Sequence, residues 1–172
     1  QVQRGDFFPA TKLLLGLIDN NPKDVEALQL LGVIALLRNE PLEAVRILEN
    51  ALAVRPDHAV AQSNLGLALS RLDRHEEALA RYDHACALNP QFADAHANRG
   101  ATLNALLRFT EAVDACDRAI ALNPRHVDAH SNRGVALNHL NRHAEAIASH
   151  DQALALQPDN AGAHWNQCLV RL

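Results

Sequence analysis

Five prolines recur at intervals of 34 residues along this chain of 172 residues. They are Pro22, Pro56, Pro90, Pro124 and Pro158. A fixed period of this length indicates an array of similar units, in which each unit buries its apolar face against its neighbours rather than in one closed core. Residues that recur in register form columns along a surface, and such a surface suits an extended partner.

The composition narrows the fold and the kind of partner. Apolar residues make up 48% of the chain and aromatic residues only 3%, which favours close helix packing over β-structure. The net charge of −4 comes with no long run of one sign, so we expect neither a nucleic-acid nor a membrane partner. Three cysteines without a CxxC pair indicate buried thiols and a reducing, cytoplasmic compartment. The chain contains no methionine, and we take it as part of a longer protein.

Each 34-residue block contains two stretches of helical apolar periodicity separated by a short polar break. A glycine recurs inside the first stretch, where glycine costs about 1 kcal/mol relative to alanine. We therefore expect the second helix of the same unit to approach closely at that point, with small alanines facing it. The columns are Gly32, Gly66, Gly100 and Gly134; Ala44, Ala78, Ala112 and Ala146; and Ala51, Ala85, Ala119 and Ala153.

The period, the helix pair and the residue order resemble the tetratricopeptide repeat. Leu65, Gly66, Ala78, Tyr82, Ala85 and Pro90 reproduce the order of that repeat most fully. The resemblance covers essentially the whole chain and implies an all-α tetratricopeptide-repeat solenoid, a right-handed superhelix of antiparallel helix pairs. The expected organisation is one array, with a partial repeat at 1–24 whose second helix covers about 6–20, full repeats at 25–58, 59–92, 93–126 and 127–160, and the first helix of a further repeat at 161–172.

The chain carries none of the common catalytic motifs. We find no nucleophile elbow, no phosphate-binding glycine loop and no HExxH, so we predict no catalytic residue, no cofactor and no enzymatic activity. His96, His130 and His164 form a column, but neighbouring repeats separate them by roughly 10 Å, the width of a helix. One metal ion cannot be reached by ligands so far apart. We therefore predict no metal site, and expect these histidines to fill positions that aromatic residues hold in the repeat family.

An asparagine column is the strongest candidate for a binding site. Asparagine is a poor residue for a helix interior, yet it recurs at Asn64, Asn98, Asn132 and Asn166, and Asp94 and Asp128 precede two of these by four residues. In tetratricopeptide arrays the first helices line the concave groove. The stretches 94–98 and 128–132 resemble those of O-linked N-acetylglucosamine transferases, where Asn and Asp ladders hold extended substrate peptides. The predicted peptide-binding groove comprises Asn64, Asn98, Asn132, Asn166, Asp94, Asp128, Ser63, Ser131 and Trp165.

Two alternatives concern the same face. In the first alternative, each asparagine hydrogen-bonds the adjacent repeat and sets the superhelical pitch instead of binding a peptide. Some tetratricopeptide domains clamp a carboxy-terminal carboxylate with lysine and arginine, but the corresponding positions here are uncharged, which disfavours a clamp. They are Gln29, Val33, Ser63, Leu67, Ala97, Ala101, Ser131 and Val135. We expect Arg99 and Arg133 to pair with Asp83, Asp117 or Asp151.

The sequence thus predicts a protein-interaction module that binds an extended peptide. The resemblance implies that it recruits substrate for a larger glycosyltransferase-like protein, and the stretch 163–166 is similar to the last repeats before such modules. The alternative is an assembly scaffold that acts through its ends and convex face, including self-association into a homo-oligomer.

Overall fold

A computed structural model describes residues 8–162 together with His164 and Asn166. Among these residues every regular element is an α-helix, which confirms the predicted all-α class. The helices are α1 (Phe8–Asn20), α2 (Val25–Leu37), α3 (Pro41–Val54), α4 (Ala59–Ser70), α5 (His75–Leu88), α6 (Ala93–Ala105), α7 (Phe109–Leu122), α8 (Val127–His139) and α9 (His143–Leu156). The chain divides into two compact units, Gln1–Leu88 and Asn89–Leu172. The repeat boundaries given above stay a prediction.

The N-terminal unit is built from two helix pairs, α2 with α3 and α4 with α5. Helix α1 packs against α2, α3 packs against α4, and α2 lies beside α4. Leu48, Leu65 and Tyr82 are its largest fully buried side chains. Burial also raises the pKa of the Tyr82 hydroxyl, so this ring is held in the core as a neutral group.

The C-terminal unit repeats this arrangement with smaller side chains. Helix α6 pairs with α7, α8 pairs with α9, α7 packs against α8, and α6 lies beside α8. Its interior combines many alanines with Leu103, Cys116, Leu137 and His150. Burial raises the pKa of the Cys116 thiol to about 12, so the sulfur is a protonated packing group rather than a nucleophile.

The two helices of each pair are joined by a turn that contains one residue in the left-handed region. These residues recur 34 apart at Asn39, Asp73, Leu107 and Asn141, with φ between 58° and 60°. Asparagine and aspartate tolerate this conformation, whereas it strains a leucine. In the links between pairs, Asp24, His58 and His126 each cap the following helix by accepting a backbone N–H from the residue three positions later. The chain therefore reverses direction at the same points in every block.

The glycine column marks the crossing point of the two helices in each pair. A Cβ built on Gly66 would lie 2.9 Å from Cε1 and Cζ of Tyr82. The equivalent glycines face the residue sixteen positions later in the same way, and a Cβ on Gly100 would lie 2.5 Å from the sulfur of Cys116. The predicted close approach of the second helix at each glycine is therefore confirmed. The expectation that small alanines face the glycines was wrong, because the facing side chain is large or polarisable. The four pairs are Gly32 with Leu48, Gly66 with Tyr82, Gly100 with Cys116, and Gly134 with His150.

Candidate functional site

The first helix of each pair has one strip of side chains that is less buried than the rest. We call this strip the first-helix face and describe it separately for the two units. The N-terminal face comprises Leu30, Val33 and Leu37 on α2, with Val60, Asn64 and Leu67 on α4. The C-terminal face comprises Asp94, Asn98 and Ala101 on α6, with Asp128, Asn132 and Val135 on α8. Helical spacing places the predicted Asn and Asp columns on these faces.

The side-chain amides of Asn98 and Asn132 are partly exposed. Within the part of the chain that the structure describes, neither amide makes a hydrogen bond. The side chain of Asn104 does reach the neighbouring repeat, and its Nδ2 donates to the backbone carbonyl of Asn132 at 2.8 Å. Each free amide offers both a donor and an acceptor. This geometry does not supply the inter-repeat bonds that a pitch-setting role for Asn98 requires.

Asp94 on α6 has a partner in the link that precedes α8. Nε2 of His126 lies 3.1 Å from Oδ1 of Asp94, and Nδ1 of the same ring accepts the backbone N–H of Ala129 at 3.3 Å. Because Nδ1 acts as the acceptor, the hydrogen lies on Nε2 and is donated to the carboxylate. One oxygen of Asp94 is therefore engaged by the protein itself, while Asp128 is exposed at the equivalent position on α8.

The remaining predicted groove residues differ in their accessibility. Ser63 is only 3% exposed, so its hydroxyl lies beneath the N-terminal face rather than on it. Ser131 and Asn166 are partly exposed. Trp165 lies outside the described residues.

The histidine column has a structural explanation that sequence reasoning missed. The ring Nε2 of His130 lies 2.9 Å from the carbonyl oxygen of Pro124, and since a carbonyl only accepts, the ring donates. His96, His164 and Gln62 make the same bond to the proline six residues earlier, at 3.2, 2.8 and 2.8 Å. Burial lowers the pKa of His96, and the nearby cations Arg118 and Arg99 lower it further. A signal was present in the sequence, since proline and a side-chain donor recur together six residues apart.

Arg133 of the arginine column is tied into the scaffold as expected. Nε of Arg133 donates to Oδ1 of Asp117 at 2.5 Å, and Nη1 donates to Oγ of Ser149 at 2.7 Å. The predicted pairing of Arg133 with an aspartate is therefore confirmed. A guanidinium held by two groups of α7 and α9 is not available as a carboxylate clamp.

Metal-binding clusters and membrane-spanning helices are both lacking among the described residues. No group of three or more His, Cys, Asp or Glu side chains there is arranged to hold a metal ion. None of the described helices has the length and apolar character needed to span a membrane.

Comparison with known proteins bears on the fold and the family. Two profiles described as tetratricopeptide repeat match the chain, one over residues 64–124 and 105–161 and the other over 24–91. None of the curated proteins compared with the chain gives a significant match. The crystal structure of MamA is 25% identical over 92% of each chain, with a TM-score of 0.78.

Two further solved structures are similar. TTC0263, a thermophilic TPR protein of Thermus thermophilus, is 23% identical over 94% of this chain and 89% of its own, with a TM-score of 0.76. The first TPR of Spaghetti (RPAP3), bound to the HSP90 peptide SRMEEVD, is 26% identical over 66% of this chain and 90% of its own, with a TM-score of 0.64. The matches to the family profiles agree with the paired helices and with the recurring glycine contacts. The chain is an all-α tetratricopeptide-repeat solenoid and belongs to the tetratricopeptide repeat family.

Proposed function

We propose that this chain is a protein-interaction module that binds an extended peptide along its first-helix faces. The observation that carries the proposal is the pair of partly exposed, unbonded amides of Asn98 and Asn132 at equivalent positions on α6 and α8. An asparagine amide pairs with a peptide N–H and C=O at the same time. Contacts of this kind read the backbone of the ligand and tolerate many side chains.

The spacing of these asparagines suits an extended ligand. Neighbouring packed helices lie about 8–10 Å apart, and an extended chain advances about 3.3 Å per residue. Two successive asparagines would therefore contact peptide groups about three residues apart. The RPAP3 domain bound to an HSP90 peptide is a structural relative that supports peptide binding by this fold.

Recruitment of substrate for a glycosyltransferase-like module is a narrower form of the same proposal. Its support is the likeness of the stretches 94–98 and 128–132 to the ladders of O-linked N-acetylglucosamine transferases. Asp128 is the acid on this face best placed to accept a ligand hydroxyl, because one oxygen of Asp94 is engaged by His126. The narrower form predicts that serine-containing and threonine-containing peptides bind more tightly than matched alanine peptides.

The test uses the purified chain and a randomised library of twelve-residue peptides. The best binder is resynthesised with a fluorescent label, and its affinity is measured by anisotropy for the wild type and for Asn98→Ala with Asn132→Ala. We expect a loss of about tenfold, since two modest hydrogen bonds are removed. The matched control is Asn50→Ala with Gln152→Ala, which changes exposed amides on the second helices α3 and α9. Equal affinities for the ladder variant and the wild type, with unchanged thermal unfolding, would remove the support for the ladder.

A further inference from the structure

The α2 part of the N-terminal first-helix face is apolar at the position where the later repeats carry asparagine. Leu30 occupies the position that asparagine holds in the next three repeats, and it is 49% exposed. Leu37 in the last turn of α2 is 61% exposed, and Val60 in the first turn of α4 is 41% exposed. Val33 and Leu67 lie partly buried between them. Because α2 lies beside α4, we take these five side chains, with the polar Asn64 between Val60 and Leu67, as one mainly apolar patch of the N-terminal unit.

The charges around this patch are mostly neutralised within the protein. Glu26, at the amino end of α2, is held by Arg55 through two bonds of 2.8 and 3.2 Å, and this guanidinium lowers the pKa of the carboxyl. At the other end, Arg38 lies 3.2 Å from Glu40. Neither pair leaves a full charge for a ligand.

Arg71 is the exception. Its Nη1 donates to the backbone carbonyl of Leu36 at 2.6 Å, which places the guanidinium between the carboxyl ends of α4 and α2, next to Leu37. No carboxylate of the described residues pairs with it. A guanidinium has five N–H donors, so four remain for another group. The apolar patch therefore ends in one uncompensated positive charge.

We propose that this patch selects extended peptide segments that carry aliphatic side chains and an acidic side chain that pairs with Arg71, an inference that rests on the proposed function. A contiguous exposed apolar surface marks an interaction site more often than scattered single residues do. Charge complementarity adds the acid, because a guanidinium prefers a carboxylate that it binds with two parallel bonds.

The experiment uses the whole chain and an array of twelve-residue peptides with amidated carboxyl ends. Two leucines and one glutamate are moved through every spacing of a Ser-Gly background. Matched arrays replace both leucines by serine, or the glutamate by lysine. We expect the best leucine peptide to bind about tenfold more tightly than its serine counterpart, as the burial of one aliphatic side chain implies. Glutamate should be preferred to lysine by roughly threefold, since an exposed ion pair contributes little.

Three variants assign these preferences to the patch. Leu30→Ser with Leu37→Ser should remove the leucine preference and leave the affinity for the serine peptide unchanged, while Arg71→Gln should remove only the preference for glutamate. Leu42→Ser is the matched control, because Leu42 is 72% exposed but lies on the second helix α3. Circular dichroism of each variant verifies that it is folded.

Three other results would contradict the inference, and one of them would also contradict the proposed function. If leucine and serine peptides bind equally, the inference is wrong and the proposed function stands. If no peptide binds at all, the proposed function and the inference fail together. If sedimentation velocity shows a dimer that Leu30→Ser with Leu37→Ser abolishes, and no peptide preference exists, a second copy of the chain covers the patch and the inference is overturned.

Discussion

Replacing Gly66 by alanine tests the close helix approach on which the repeat packing depends. A Cβ at this position lies 2.9 Å from two ring carbons of Tyr82, whereas carbon atoms pack best at about 3.5–4.0 Å. The ring has to move by about 0.6–1 Å in a core where it is almost fully buried. Gly16, in the middle of α1, is the matched control, because a Cβ there meets no heavy atom within 4 Å.

The two substitutions share one effect and differ in another. Both gain about 1 kcal/mol of helix propensity when alanine replaces glycine. Only Gly66→Ala adds overpacking, which typically costs about 1–3 kcal/mol. The free energy of unfolding should therefore be lower for Gly66→Ala than for Gly16→Ala by about 1–3 kcal/mol, with Gly16→Ala more stable than the wild type.

The assay is urea unfolding followed by circular dichroism at 222 nm, with both variants and the wild type under the same conditions. Both glycines lie in the same compact N-terminal unit, so both substitutions perturb one packed part of the chain. Equal midpoints for the two variants would show that Tyr82 yields without cost and would refute the steric explanation of the glycine column.

Three further outcomes are expected from the scaffold. Leu107→Asn should stabilise the chain by about 1 kcal/mol, because a leucine at φ 60° is strained and asparagine is not; a lower urea midpoint would contradict this. His130→Leu should cost about 1 kcal/mol by leaving the Pro124 carbonyl unpaired, and His130→Gln should restore the loss, since Gln62 makes the same bond; equal unfolding of both variants would argue against the bond. Burial lowers the pKa of His150, so the unfolded chain binds more protons below pH 6.5 and stability falls on acidification. His150→Leu should raise the urea midpoint at pH 7.5 and should reduce the drop in that midpoint between pH 7.5 and pH 5.5. An unchanged drop would contradict the assignment to His150.

The reason for the His150 prediction lies in its position beneath Gly134. Neither ring nitrogen of this fully buried side chain has a hydrogen-bond partner among the described residues. A buried polar group without a partner destabilises the fold. Leu48 occupies the equivalent position under Gly32, so leucine is the replacement that this repeat geometry already uses.

The period made the helical architecture predictable from the sequence. The proline, glycine and alanine columns recur for local reasons, because the chain reverses direction and two helices pack closely at the same points of each repeat. Each column can therefore be recognised in the sequence alone. The first helix was expected over about 6–20 and is described from Phe8 to Asn20. The residue that faces each glycine was predicted wrongly as alanine; it is the residue sixteen positions later, which is Tyr82 for Gly66.

Other features depend on three-dimensional contacts that the recurrence of a residue type every 34 positions does not reveal. The burial of Ser63 could not be read from its place beside Asn64, since adjacent positions on a helix point about 100° apart. The pairing of Asp94 with His126 joins α6 to the residue that caps α8, 32 positions along the chain, and the two residues belong to different columns. The sequence did not reveal the strain at Leu107, because the turn conformation is set by the neighbouring helices rather than by the leucine itself.

The central claim is that the first-helix asparagines bind the backbone of an extended peptide. It is tested most directly by a double-mutant cycle between Asn98→Ala and a library-selected peptide in which single backbone nitrogens are methylated in turn. N-methylation removes one N–H donor and keeps every side chain. The account predicts one methylation site whose effect on affinity disappears in Asn98→Ala, with a coupling of about 1 kcal/mol. If the effects of methylation and of Asn98→Ala add at every site, Asn98 does not contact the peptide backbone and the claim is contradicted.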